Sequence, residues 1–305
     1  MRFFIIKATN IAMHKAGFVN IVGNPNVGKS TLMNQLVGEK ISIATFKAQT
    51  TRHRIMGIVN TDDAQIVFSD TPGVLKPNYK LQESMLAFSE SALTDADVLL
   101  YVTDVVEAPE KNIEFLDKVK KMTIPVLLLI NKIDQTDQKT LGNIVEKWHQ
   151  LLPNAEILPI SAQNKFGTDM LLKRIKELLP ESPPYFDKEQ LTDKPAKFFV
   201  SEIIREKILL YYDKEIPYSV EVVVESFKED RKHIHINAVI YVERNSQKGI
   251  IIGHQGMALK KVSTEARKAL ERFFGKPVYL ETFVKVDKDW RSSQKELNNF
   301  GYNPE

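Results

Sequence analysis

Residues 23–30 read Gly23-Asn24-Pro25-Asn26-Val27-Gly28-Lys29-Ser30 and satisfy G-x-x-x-x-G-K-[ST]. That spacing suits phosphate chemistry. Gly23 and Gly28 let the backbone turn tightly and approach a ligand. The loop amides and the positive end of the following helix converge on an anion. Lys29 reaches the β- and γ-phosphates, and Ser30 is a ligand for Mg²⁺. A chance match would lack the flanking elements. Here an apolar run of strand type, residues 18–22, precedes the loop, and residues 31–37 follow with apolar side chains at helical spacing.

Three more segments carry chemistry. Asp70-Thr71-Pro72-Gly73 follows the strand-like run 66–69. An aspartate there supplies the second acid of the Mg²⁺ shell, and the Gly73 amide faces the γ-phosphate, with Val74 next in line; the bland alternative is a plain turn. Asn131-Lys132-Ile133-Asp134 follows the strand-like run 125–130. Asp134 accepts two hydrogen bonds from the N1–H and N2–H₂ edge of guanine, a pair that adenine lacks, so the site discriminates strongly. Asn131 ties the nucleotide loops together, the Lys132 stem lies over the base, and Ser161-Ala162 adds an amide suited to guanine O6. Gln49-Thr50-Thr51-Arg52-His53 is a polar stretch in which Thr51, favoured over Thr50, completes the Mg²⁺ shell while a γ-phosphate is present. A solvated loop is the alternative.

Strand and helix patterns alternate through residues 18–180, the order of a mostly parallel sheet with helices on both faces. Strands are expected at 55–60, 65–69, 98–102, 125–130 and 156–160, and helices at 79–94, 140–152 and 168–179. The uninterrupted apolar strands belong in mid-sheet. Pro180-Glu181-Ser182-Pro183-Pro184 breaks the pattern and reads as a linker. A helix at 199–211, strands at 218–227 and 232–243, a glycine loop at 253–256, a helix at 257–274, a strand at 277–286 and a helix near 289–299 then form a second unit. The expected division is an extension at 1–14, a first domain at 15–181, a linker at 182–198 and a second domain at 199–305.

The chain has 305 residues, enough for two cores, with 43% apolar and 27% charged residues and a net charge of +3. That balance is too mild to argue for nucleic acid by itself. The absence of cysteine excludes disulfides, thiolate metal sites and cysteine nucleophiles, and fits a cytoplasmic protein. The run Phe3-Phe4-Ile5-Ile6 is too short for a signal core. No stretch approaches the roughly 20 apolar residues of a membrane span. Met13 stands just before the first strand, so residues 1–12 are expected to lie outside the fold and to derive from an upstream start codon.

In the second unit, Gly253-His254-Gln255-Gly256 is a G-x-x-G loop set between an apolar run and a basic helix. Gly253 and Gly256 permit close approach, and His254 and Gln255 project as donors. Arg244, Lys248, Lys260, Lys261, Arg267 and Lys268 stand against the single acid Glu265 between 244 and 268. Such a local basic face is the footprint of a phosphate backbone, with Lys248, Lys260 and Lys261 as candidate contacts. A solvated helix face is the alternative.

The motifs together resemble the translation-factor-related GTPases, and Lys47-Ala48-Gln49-Thr50-Thr51-Arg52-His53-Arg54 resembles one branch, the Era proteins. The second unit resembles a bacterial-type KH domain, whose glycine loop clamps single-stranded nucleotides. The resemblance runs from about residue 14 to the end and implies an α/β fold: a P-loop GTPase domain with a mostly parallel sheet, then a smaller α+β KH-like domain. It implies GTP hydrolysis with Mg²⁺, binding of the 3′ end of small-subunit ribosomal RNA, a role in small ribosomal subunit maturation, and peripheral contact with the inner face of the cell membrane. Trp290 through Tyr302 looks like the family's closing segment, and Phe198 to Lys207 like its domain junction. Ras-like proteins place a water-orienting glutamine where this chain has Val74. Asn26 sits where potassium-dependent relatives hold K⁺, a cation able to stand in for an arginine finger. Slow intrinsic hydrolysis stimulated by K⁺ is therefore expected. Two other readings stay open. One is an RNA-binding assembly scaffold with nucleotide as a structural ligand. The other is a GTPase whose second domain binds protein.

Overall fold

The computed structural model describes residues 14–303, so the expectation for residues 1–12 lies outside the described residues. The first unit runs β1 (Lys15–Gly23), α1 (Lys29–Val37), β2 (Ile55–Asn60), β3 (Ala64–Asp70), α2 (Lys80–Ser91), β4 (Val98–Asp104), α3 (Ile113–Lys120), β5 (Val126–Asn131), α4 (Gln138–Leu151), β6 (Glu156–Pro159) and α5 (Thr168–Leu178). Its strand order is β2-β3-β1-β4-β5-β6, parallel except for the antiparallel β2–β3 pair. Every residue of β3 and β4 is buried. Alternate residues serve opposite layers: Leu100 and Val102 join Leu32 and Ile175 on one face, while Leu99 and Tyr101 join Phe115 and Trp148 on the other. Each such side chain contributes about 1.5–3 kcal/mol by leaving water.

The chain leaves β1 toward β2 and β3, then crosses back to β4. The carboxyl ends of the central strands therefore open on a crevice where the winding reverses, the usual ligand position in such sheets. The helix α3 was not anticipated. Its apolar face is short (Phe115, Leu116 and Val119 are its buried residues). Yet the parallel pairing of β4 with β5 demands a crossover, and a helix is the usual one.

The stretch expected as a linker is laid against the sheet edge. Ile58 N donates to Leu191 O at 2.8 Å, Met56 N to Asp193 Oδ1 at 2.9 Å, and Thr192 Oγ1 to Met56 O at 2.7 Å. Gln65 accepts from Tyr185 N at 2.7 Å and donates to Phe186 O at 2.8 Å. The bonds to Met56 and Ile58 cover the free edge of β2, which would otherwise invite pairing with another chain. Helical structure then begins at Ala196, inside the segment assigned to the linker.

The second unit comprises α6 (Ala196–Tyr211), β7 (Val220–Glu229), β8 (Ile234–Val242), α7 (Asn245–Ile252), α8 (Met257–Phe274), β9 (Val278–Val286) and α9 (Gln294–Asn299). The sheet order is β7-β8-β9, with β8 and β9 parallel. Helix α6 joins the two cores: Phe199 packs in the first unit's cluster, while Val200, Ile204 and Ile208 pack in the second's. The closing segment returns to the first unit, where Trp290, Leu297 and Tyr302 form a cluster with Leu81, Met85 and Phe88 of α2.

Candidate functional site

The loop between β1 and α1 has the backbone its glycines require. Gly23 has φ 144°, and a Cβ there would lie 2.1 Å from Val102 O. Gly28 has φ 96°, and a Cβ there would meet Asn131 Nδ2 at 2.3 Å. Asn26 also takes a left-handed conformation, with φ 67°. Lys29 curls over the loop and donates to Gly23 O at 3.0 Å and Asn24 O at 2.8 Å. Burial brings its pKa down to about 8, against the pull of Asp70 and Glu107. The loop opens on a cleft of 660 Å³ lined by Pro25, Asn26, Lys29, Thr51, Gly73 and Lys132 among others.

Three oxygens meet at the mouth of α1. Ser30 Oγ donates to Asp70 Oδ2 at 2.7 Å and lies 2.8 Å from Thr51 Oγ1, which is 3.2 Å from the same Oδ2. Asp70 Oδ1 is buried without any hydrogen-bond partner. Burial pushes the Asp70 carboxyl above its usual range, against Lys29 and the Ser30 hydroxyl. Clustered hard oxygens with one orphaned carboxylate oxygen fit a divalent cation, which supplies the missing charge. Thr50 is elsewhere, its hydroxyl bonded to Lys47 O at 2.6 Å.

Thr71 Oγ1 donates to Ile21 O at 2.8 Å, and Val74 N to Gly23 O at 3.0 Å. A Cβ on Gly73 would lie 2.7 Å from Pro25 Cα, so the two loops touch. Val74 is buried in the cluster that holds Val22 and Tyr101.

Asn131 Nδ2 donates to Val27 O at 2.8 Å, linking two loops. Lys132 Nζ donates to Asn26 O at 2.6 Å and pairs with Asp104 at 2.5 Å. The exposed Asp134 accepts from Ser161 Oγ at 2.5 Å. Of the Ser161-Ala162 pair expected to supply an amide to guanine O6, the Ala162 amide donates to Asn131 Oδ1 at 2.9 Å. The next residue, Gln163, lines the cleft.

The segment after α1 also engages the second unit. Arg52 is buried and donates to Val220 O at 2.7 Å and to Pro217 O and Tyr218 O at 3.3 Å, and it pairs with Glu221 at 3.2 Å. Tyr302 OH donates to Glu221 Oε2 at 2.6 Å. Arg205 forks onto Glu202 and donates to the carbonyls of Gln49 and Thr50. Although burial opposes the charge, Glu202 holds the Arg205 guanidinium above its ordinary range. The sequence placed Arg52 in the switch stretch and Arg205 in the domain-junction segment, but nothing local marked either guanidinium as buried.

In the second unit Gly253 (φ 71°) and Gly256 (φ 76°) turn the loop, and a Cβ on Gly253 would lie 2.5 Å from Ala258 Cβ. His254, Gln255, Lys260 and Lys261 are exposed, and Lys248 is half-buried. Lys261 lies 4.6 Å from the ring centre of Tyr211. Two of the six counted basic residues are neutralised: Arg267 pairs with Glu271 at 2.7 Å and Lys268 with Glu265 at 2.9 Å.

A phosphate loop, a magnesium-type oxygen cluster, an N-K-x-D loop and a G-x-x-G unit define a guanine-nucleotide hydrolase joined to a KH-type domain. Residues 18–132 match the family described as 50S ribosome-binding GTPase, and residues 215–291 match the KH domain. GTPase Era of Syntrophus aciditrophicus (strain SB) is 46% identical over 295 residues, 95% of this chain and 96% of that protein. GTPase Era of Clostridium kluyveri is 44% identical over 292 residues, 95% of this chain and 100% of that protein. Among solved structures, Era in complex with MgGDPNP and nucleotides 1506–1542 of 16S ribosomal RNA has a TM-score of 0.91 at 39% identity, covering 95% of this chain and 100% of that one. A single-residue variant of Aquifex aeolicus Era bound to GDP and AlF4⁻ gives the same values: TM-score 0.91, 39% identity, and 95% and 100% coverage. The chain belongs to the Era family of GTPases.

Proposed function

We propose that this GTPase is a nucleotide-gated clamp for the 3′ end of small-subunit ribosomal RNA and assists small ribosomal subunit maturation. One observation carries the gating. Thr51 contacts Ser30 and Asp70, while its neighbour Arg52 is plugged into the carbonyls of residues 217, 218 and 220. A γ-phosphate that draws in Thr51 therefore acts on the second unit through one peptide bond. The RNA follows from the solved relative, whose partner is a 16S ribosomal RNA segment. The loop at 253–256 with Lys248, Lys260 and Lys261 supplies the contact.

In the nucleotide site Lys29 and the loop amides hold the phosphates, the Gly73 amide addresses the γ-phosphate, and Asp134 reads the guanine edge. Ser30, Thr51 and Asp70 would hold Mg²⁺, which neutralises phosphate charge when bound. K⁺ at Asn26 is part of the same proposal, tested by comparing hydrolysis in K⁺ and Na⁺: equal rates would remove it. The division into residues 15–181, 182–198 and 199–305 is adopted for function. Peripheral membrane contact rests on the family resemblance alone; among the described residues no helix is long and apolar enough to cross a membrane. A cytoplasmic location is proposed from the lack of cysteine.

The test is binding of single-stranded RNA ending in the small-subunit 3′ sequence, with GDP and with GDPNP. Tighter binding with GDPNP is expected, and RNA must then tighten GDPNP by the same factor. Equal binding would favour the scaffold reading.

A further inference from the structure

Val74 occupies the position next to the γ-phosphate-facing glycine and brings no polar side chain, so its backbone must be placed by other groups. Its N–H donates to Gly23 O at 3.0 Å. Its carbonyl accepts from Asn112 Nδ2 at 3.1 Å, and the same nitrogen donates to Asn24 Oδ1. The Val74 carbonyl is an acceptor only, which fixes the Asn112 amide with its nitrogen toward the site. Asn24 is 3% exposed, and its own carbonyl holds Lys29 at 2.8 Å. One amide from a third segment thus joins the phosphate loop to the segment 70–74.

Asn112 is also the residue before α3, where an asparagine ordinarily caps the helix through its side chain. Here it makes no capping bond. The side chain faces the site instead of the helix it precedes.

We infer that Asn112 is a positioning residue for GTP hydrolysis: it fixes the Val74 peptide against the phosphate loop, and with it the Gly73 amide. The inference rests on the phosphate-site reading above. GDP lacks the γ-phosphate that the Gly73 amide would address, so the contribution through Val74 is expected to weigh more on hydrolysis than on GDP affinity.

The test is single-turnover GTP hydrolysis and equilibrium GDP binding by Asn112→Ala and Asn112→Asp. Loss of a hydrogen bond of this kind lowers the rate about tenfold for the alanine variant, with GDP affinity held within about twofold. The aspartate is isosteric and a good helix cap, but it sets a carboxylate against two oxygen acceptors. It is expected to be slower than alanine. A merely structural role would make aspartate the milder change and would weaken GDP binding in step with hydrolysis. Either result overturns the inference. Should the aspartate variant fail to fold, Asn112→Leu, similar in volume and without a donor, takes its place with the alanine outcome expected. Lys29→Ala is the reference: if it left hydrolysis intact, the phosphate-site reading itself would have failed.

Discussion

The ring of His53 stacks on that of Tyr302, with centroids 4.3 Å apart and planes 17° apart. His53 belongs to the segment that follows Thr51, and Tyr302 belongs to the last turn of the described chain. Burial, with Arg205, Lys194 and Arg52 adding to it, takes the His53 pKa down to about 3. The unfolded chain therefore binds a proton near pH 6.5 that the folded chain refuses until about pH 3, so this residue's share of stability falls as pH drops below 6.5. The melting temperature should decline between pH 7 and pH 5, and His53→Phe, which keeps the stack, should flatten that decline. Parallel pH profiles for the two proteins would rule the assignment out.

Arg52→Ala leaves Glu221 buried without its cation. Burial already pushes that carboxyl upward against Arg52. Breaking a buried pair costs about 3–5 kcal/mol. Arg52→Lys lacks the fork that reaches several carbonyls and should restore only part of the loss. In the RNA assay the ratio of affinities with GDPNP and GDP should fall toward one for both variants. A ratio unchanged from wild type would separate Arg52 from the gating.

Lys29 with a pKa near 8 has a simple signature. Phosphates favour its charged form, so nucleotide binding above pH 8 should take up a proton, and affinity should fall as pH rises through that value. Calorimetry in buffers of different ionisation enthalpy measures the uptake. No proton uptake at pH 9 would place the lysine away from the phosphates.

Asp134→Asn exchanges one of two carboxylate acceptors for a donor. GTP affinity should drop by about 10²-fold or more, with the loss confined to guanine nucleotides. Competition between GTP and xanthosine triphosphate reads this directly, and a variant that still prefers guanine would argue for recognition elsewhere, with Gln163 the nearest candidate.

Gly253→Ala combines a left-handed backbone with a Cβ 2.5 Å from that of Ala258. RNA affinity should fall while GTP binding is unaffected. Lys260→Gln and Lys261→Gln should each lower the salt slope of RNA binding by about 0.7. An unaltered slope would move the contact to another face.

Much of the nucleotide site was legible because its chemistry is local in sequence. Asp70 and Asn131 end readable strands, Lys29 and Ser30 open the helix after one, and the strand order brings those ends together. Thr51 was harder: the sequence favoured it over Thr50, and in the fold it is Thr51 that lies beside Ser30 and Asp70. The segments holding Arg52 and Arg205 were marked, as switch stretch and domain junction, but their individual partners and any role for Asn112 could not be read, since each depends on a residue far along the chain. The α3 helix was missed for want of apolar length, although the topology required it. The excess of basic residues at 244–268 was overstated. Glu271 lies just beyond that window and pairs with Arg267 at i+4, a spacing that could have been checked.

Phe199 sits in the first unit's core while the next residue, Val200, sits in the second's. The units therefore cannot swivel freely about the chain between them. Any large reorientation must draw that phenyl ring out of its socket, at about 1.5–3 kcal/mol for the ring alone, besides the contacts of Arg52, Arg205 and Tyr302. This is the scale on which one ligand typically influences another site. The ring thus acts as a catch between the two cores, holding the orientation that the structure shows.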